Sequence, residues 1–202
     1  PRASVSANRI LHVLNMESGI QNQPKGTGEA REGSIEFDHV TFVYPDGEEA
    51  VLRDISFTVK EGQTVAFIGS TGSGKSTLIQ LIPRFYDVCE GRILVNGVDV
   101  RDWDVNNLRD QIGFVAQKAN LFSGTIEENI RFGKADASMD EVIHAAKVAQ
   151  AYDFIMEKPD GFQERIVEGA TNVSGGQKQR LSNARALVRR PKIYIYDDSF
   201  SA

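Results

Sequence analysis

Apolar residues run along this chain in short bursts separated by turn formers, and the bursts change period from place to place. Ile10, Leu11, Val13 and Leu14 give Val5–Leu14 a weak helical spacing. From Glu17 to Gly33 the composition turns to Gly, Gln, Lys, Glu and Pro, which reads as a linker. Ile35–Phe37 and Val40–Tyr44 then read as strands, stopped by the turn Pro45-Asp46-Gly47. Val51–Val59 and Gln63–Ile68 continue the strand pattern, the latter around the apolar run Val65-Ala66-Phe67-Ile68. The spacing predicts a helix over Lys75–Tyr86, and Asn96-Gly97 predicts a hairpin between Ile93–Val95 and Val98–Val100. Leu108–Gln150 is mostly helical in pattern, with Ile112–Val115 as an embedded strand and a capping-box start at Ser138–Glu141. A helix over Ser174–Arg189 and a buried strand Ile193–Tyr196 close the pattern, and no internal repeat is present.

This order predicts an α/β fold with a mainly parallel core sheet, an antiparallel β subdomain before it and a helical insertion of about residues 118–185. Residues 1–33 form a tail and linker, and 34–202 one domain. Ligands of such sheets sit beyond the carboxyl ends of the strands, so the residues directly after each apolar run carry the information. Composition narrows the class. The apolar and charged fractions, 41% and 25%, are those of a globular protein. A net charge of -5 gives no reason to expect a nucleic-acid partner. The single cysteine, Cys89, forms no internal disulfide and fits a reducing compartment. No apolar run is long enough to span a bilayer, no signal peptide is visible, and both ends look like cuts through a longer chain.

Directly after Ile68 comes Gly69-Ser70-Thr71-Gly72-Ser73-Gly74-Lys75-Ser76, a complete phosphate-loop pattern, continued by Thr77. The glycines let the backbone wrap a phosphate, and the amides and the following helix N-terminus point at the anion. Lys75 is expected on the β- and γ-phosphates of a nucleotide and Ser76 on Mg²⁺. An acidic partner on a neighbouring strand must hold the metal's water shell, and Tyr196-Asp197-Asp198 supplies it at the end of an apolar strand. Asp197 is the metal-side carboxylate, and Asp198 is placed to orient an attacking water.

Ser174-Gly175-Gly176-Gln177-Lys178-Gln179-Arg180 decides the family. With Val173 ahead of it, the run Val173–Gln177 resembles the signature of ABC ATPases, whose commonest first residue is Leu. The phosphate loop, signature and aspartate pair occur in the family's order, so the chain is identified as similar to an ABC nucleotide-binding domain. That resemblance implies ATP and Mg²⁺ as ligands. It also implies a second such domain as partner, the signature of one closing over the γ-phosphate held by the other. By the same resemblance Tyr44 is the aromatic that stacks on adenine, with a core tyrosine as the alternative. Gln117 resembles the glutamine that reaches the Mg²⁺ and attacking water, with a plain loop glutamine as the alternative. Leu121–Ile126, together with Arg2-Ala3-Ser4, Ala7-Asn8-Arg9-Ile10 and Val13-Leu14, resembles the exporter branch of the family. An exporter implies a transmembrane domain as second partner and a place at the cytoplasmic face of the cell membrane.

Several positions depart from the family pattern. Asp198 stands where a glutamate is usual, one methylene short, and a retreat of about 1–1.5 Å can cost on the order of a hundredfold in rate. In the exporter family such an aspartate is typical of the slow site of a heterodimer, so homodimer and heterodimer both stay open. Glu168 fits the loop that touches the membrane domain, while Val167 and Ala170 replace expected glycines and stiffen it. Tyr194 and Tyr196 replace aliphatics and need hydroxyl partners if buried, and Asn183 interrupts an apolar helix face. The family's D-loop aspartate and switch histidine lie beyond Ala202, and His12, His39 and His144 all precede the signature, so each reads as structural or exposed. The function expected is the ATPase motor of an exporter. A nucleotide-gated scaffold with little hydrolysis and a soluble ABC ATPase are the alternatives.

Overall fold

A computed structural model describes residues 2–16, 19–22 and 33–197 of the chain. Asp198 and residues 23–32 of the linker lie outside the described residues. Helix α1 spans Arg2–Leu14. Its Ile10, Leu11, Val13 and Leu14 are exposed.

Strands β1 (Ile35–Phe42), β2 (Leu52–Val59), β3 (Glu90–Val95) and β4 (Val98–Asp99) form an antiparallel sheet in the order β2-β1-β3-β4. The sequence pattern separates Ile35–Phe37 from Val40–Tyr44, whereas the structure makes one strand of both. The register shifts between Phe37 and Val40, with His39 at φ 50. That bulge adds a residue and returns Val40 to the buried face with Phe37 and Phe42. Asn96 and Gly97 both take positive φ, 54 and 76, as a tight hairpin requires.

Helix α2 (Lys75–Leu81) packs Leu78, Ile79 and Leu81 into the core beneath this sheet, with α3 (Val105–Asp110) beside it. The helix predicted to reach Tyr86 stops earlier, because Pro83 follows Ile82 and Arg84 turns to φ 52. Strands β5 (Ile112–Val115) and β8 (Ile193–Tyr196) pair in parallel, Ile112 opposite Ile193 and Val115 opposite Tyr196. Ile112, Ile193 and Ile195 join the same apolar core. Gln63–Ile68, by contrast, pairs with no described strand. Val65 is 46% and Ile68 96% exposed, and Phe67 rests its ring edge on Phe57. An apolar run becomes a strand only where a neighbour completes its hydrogen-bond ladder.

A second apolar core forms among α4 (Ile126–Arg131), α5 (Met139–Val148), α6 (Tyr152–Met156) and α7 (Gly175–Leu187). Ile126, Ile130, Val142, Ile155 and Leu181 are fully buried there. A two-stranded ribbon of β6 (Gly124–Thr125) and β7 (Arg165–Ile166) borders it. The capping box at Ser138 and Glu141 forms as the sequence predicts, and Thr125 with Glu128 makes another.

Candidate nucleotide site

The loop Gly69–Gly74 leads into α2, and Gly74 takes the position before the helix with φ 88. A side chain there is doubly excluded: a Cβ would lie 2.9 Å from Leu52 Cδ2 and 3.3 Å from the Val51 carbonyl, in a left-handed conformation. The loop folds over its own lysine. The Lys75 ammonium donates to the Gly69 and Ser70 carbonyls, each at 2.8 Å, and to Ser73 Oγ at 3.4 Å. Thr71 and Gly72 form the exposed tip between these contacts. Lys75 is thus held inside the loop by neutral oxygens, which an anionic oxygen can replace with a stronger charge-assisted bond.

Ser76 and Asp197, far apart in sequence, meet here. The Ser76 hydroxyl donates to Asp197 Oδ1 at 2.8 Å. Asp197 follows β8, and its backbone N–H donates to the Val115 carbonyl at 2.9 Å, which extends the parallel ladder to its end. Gln117 leaves the same end of neighbouring β5 and is exposed. The expected carboxylate and the expected glutamine therefore emerge together beyond the carboxyl ends of two parallel strands. A hydroxyl beside a carboxylate is an oxygen donor pair suited to Mg²⁺, which takes one or two protein oxygens and completes its shell with phosphates and water.

Tyr44 stands at the other side of α2. Its hydroxyl bonds Thr77 Oγ1 at 2.9 Å, and Thr77 is buried. Its half-buried ring meets Phe42 and Tyr86 edge-on at 4.9 and 5.2 Å between centroids. Tyr196 and Tyr194 stack on each other at 6.4 Å, with Tyr194 exposed and Tyr196 half-buried. Burial pushes both hydroxyls above the usual tyrosine range.

The signature segment opens α7 inside the second core. Val173 is buried as its anchor. Ser174 Oγ accepts the Gln177 N–H at 3.2 Å, and Gln177 Oε1 accepts the Ser174 N–H at 3.0 Å. This closed capping box leaves Gly175 and Gly176 at the start of the helix, and a Cβ on either would meet nothing within 4 Å. One and two turns further along the helix, Gln179 Nε2 and Asn183 Oδ1 are buried without a hydrogen-bond partner. Sequence reasoning missed Asn129, a buried amide that bonds the Phe122 N–H and carbonyl and the Thr125 carbonyl. Arg185 bonds Asn129 in turn, and burial lowers the pKa of its guanidinium. In the loop ahead of the signature, exposed Glu168 is followed by Gly169 at φ 71 and Ala170 at φ 52.

A loop that wraps a lysine, a helix that starts on it and a carboxylate at the end of a parallel strand define a P-loop nucleotide-binding domain. The chain belongs to the ABC transporter family, whose profile matches residues 52–201. Over 201 residues it is 48% identical to the Bacillus subtilis protein YfiB, named an uncharacterized ABC transporter ATP-binding protein, covering 100% of this chain and 35% of YfiB. It is 44% identical to YgaD of the same organism, named a putative multidrug export ATP-binding/permease protein, over 98% of this chain and 34% of that one. A Staphylococcus aureus protein of the same description is 47% identical over 93% of this chain and 32% of its own length. The chain thus spans about a third of the length of these curated relatives. A solved structure of a bacterial Atm1-family ABC exporter with ATP bound superposes with a TM-score of 0.93 at 36% identity, covering 100% of this chain and 35% of that one. The expected fold, an ABC nucleotide-binding domain, is borne out. No helix among the described residues is long and apolar enough to cross a membrane.

Proposed function

We propose that this chain is the ATP-driven motor domain of an exporter, in which two such domains close head-to-tail around ATP and reopen after hydrolysis. The observation that carries this reading is the pair Gly175 and Gly176. Alanine would fit both positions within the chain and would favour the helix by up to about 1 kcal/mol each. Glycine there makes sense if something outside the chain must approach the backbone closely. The chain already has a phosphate cradle at Gly69–Thr77, so the second set of open amides is matched to the phosphate held by a partner domain.

In this reading Gly69, Ser70, Thr71, Gly72, Ser73, Gly74 and Thr77 wrap the phosphates, Lys75 neutralises their charge, and Tyr44 offers its ring to the adenine. Ser76 and Asp197 hold the metal, and Gln117 orients the attacking water. Mg²⁺ bound there would polarise the terminal phosphate. Val173, Ser174, Gly175, Gly176 and Gln177 present the signature to the partner's ATP. Residues 118–185 act as a helical subdomain, supported by the separate apolar core around Ile130 and Leu181. Asp198 gives a slow site, with the signature serving a faster partner site in a heterodimer. The exporter names of the relatives support a transmembrane partner domain and a place at the cytoplasmic face of the membrane.

The test is Mg-ATP binding and dimerisation by the purified protein. Wild type binds Mg-ATP, Lys75→Ala does not, and Gly176→Trp binds but fails to pair. Lack of binding by wild type, with Lys75→Ala behaving the same way, overturns the reading. In the assembled transporter, Asp198→Glu raises turnover at this site. No rise removes the slow-site assignment.

A further inference from the structure

We propose that Ile20–Asn22 form a strap that locks the N-terminal arm of the chain to the far end of the phosphate-binding helix, so that α2 and the arm move as one body. The strap is the point where the linker returns to the domain, and three bonds across 63 to 83 residues of sequence hold it.

The first anchor is Arg84, just beyond the C-terminal end of α2. Arg84 is 4% exposed. Its Nε and Nη2 donate to the two carboxylate oxygens of Asp87 at 2.7 and 3.1 Å, and its Nη1 donates to the Arg101 carbonyl at 3.3 Å. Its Nη2 also donates to the Gln21 carbonyl at 3.3 Å. A buried guanidinium needs an acceptor for each N–H it turns inward, and the strap supplies one that Asp87 and Arg101 do not. The turn that places this side chain is itself fixed. Arg84 has φ 52, and Arg109 of α3 donates to the Pro83 and Arg84 carbonyls at 3.1 and 3.0 Å. A left-handed arginine persists only where its surroundings determine it.

The second anchor is the start of α3. Asp104 Oδ1 caps the Asn106 and Asn107 N–H groups, both at 3.0 Å. The Val105 N–H is left over, and Asn22 Oδ1 accepts it at 3.0 Å. The Asn22 amide in turn donates to Asp104 Oδ2 at 2.8 Å. One asparagine thus completes the cap from outside the helix and uses both ends of its amide to do so. Ile20 lines an open surface depression together with Phe85 and Val105. A plain spacer needs none of this pairing. Because α2 begins at the phosphate loop, a shift of the loop reaches the strap through Arg84. A free linker would absorb it.

The strap is tested independently of ATP turnover, by hydrogen exchange on wild type and Asn22→Asp. The aspartate loses the donor to Asp104 and sets two carboxylates side by side. In wild type the Val105 amide, whose N–H the Asn22 side chain accepts, is expected to be protected, and Asn22→Asp speeds its exchange by about tenfold or more. Mg-ATP affinity stays unchanged, since Asn22 touches none of the phosphate loop. A spin-label pair at Ser4→Cys and Glu61→Cys, in a Cys89→Ser background, is expected to give a narrow distance distribution that broadens in Asn22→Asp. A Val105 amide exchanging as fast in wild type as in Asn22→Asp, or distributions equally broad in both proteins, would overturn the strap.

Discussion

The Ser76 hydroxyl donates to Asp197 Oδ1 at 2.8 Å across 121 residues of chain. The bond joins the first turn of α2 to the end of β8, and so ties the phosphate loop to the parallel strand pair. Local sequence makes the loop. This long-range bond sets the carboxylate beside it, on a backbone that the Val115 carbonyl holds in the ladder.

Ser76→Ala removes that donor and, with it, the oxygen proposed for the metal. A hydrogen bond to a charged group contributes about 1.5–3 kcal/mol when sheltered, and this half-buried pair lies toward the low end. The larger effect falls on the ligand. Mg-ATP is expected to raise the melting temperature of wild type more than metal-free ATP does. In Ser76→Ala the two increments become equal, as a calorimetric scan with and without chelator would report. A persisting Mg²⁺ increment would place the metal on other groups.

The glycines separate into two kinds. Gly74→Ala forces a left-handed alanine against Leu52 and the Val51 carbonyl, for a cost of about 1–3 kcal/mol and loss of nucleotide binding. Gly175→Ala and Gly176→Ala leave the isolated chain as stable as wild type or up to about 1 kcal/mol more so, yet weaken nucleotide-dependent pairing. Denaturant unfolding and sedimentation in Mg-ATP measure the two effects separately. Destabilisation by Gly175→Ala alone would mean that glycine there serves the fold.

Features encoded within a few residues were legible in the sequence. The phosphate loop, the Asn96-Gly97 turn and the Ser138 and Glu141 capping box are local backbone arrangements with matching side chains. Thr125 and Glu128 carry the same box signal inside Leu108–Gln150, a stretch whose pattern is mostly helical throughout and so does not mark where one helix begins. The bulge at Asp38-His39 hides as a gap between two strands, since an inserted residue breaks the alternation that marks a strand. Gln63–Ile68 looks like a strand in composition, but pairing depends on neighbours distant in sequence. Arg84 and Asn129 were invisible for a related reason: the partners Gln21 and Arg185 that complete their bonding lie far away along the chain.

Ala170 sits at φ 52 where the family pattern calls for glycine, and it is buried at 2% exposure. A left-handed alanine costs roughly 1–2 kcal/mol over glycine in the folded state, offset in part by the greater freedom glycine gains on unfolding. Ala170→Gly is therefore expected to raise stability by up to about 1 kcal/mol, read as a shift of the urea midpoint at constant slope. A drop would show that the Ala170 methyl contributes more to the second core than the backbone strain takes away.

Glu141 offers a pH test of the second core. Its carboxylate accepts from Lys134 Nζ and from the Ser138 N–H, both at 2.8 Å. The lysine first and the backbone N–H second hold its pKa at about 2, below the ordinary 4.5. A carboxyl that is more acidic in the folded chain stabilises it fully above the unfolded value, and the contribution drains away as pH falls through the folded one. The window thus runs from about 4.5 down to about 2. Glu141→Gln keeps an acceptor for the helix cap but carries no charge for Lys134. It is expected to be less stable than wild type at neutral pH, with the gap shrinking as acid is added and closing near pH 2. Urea unfolding of both proteins across that range measures it, and a gap that stayed constant with pH would mean that the charge of Glu141 contributes nothing.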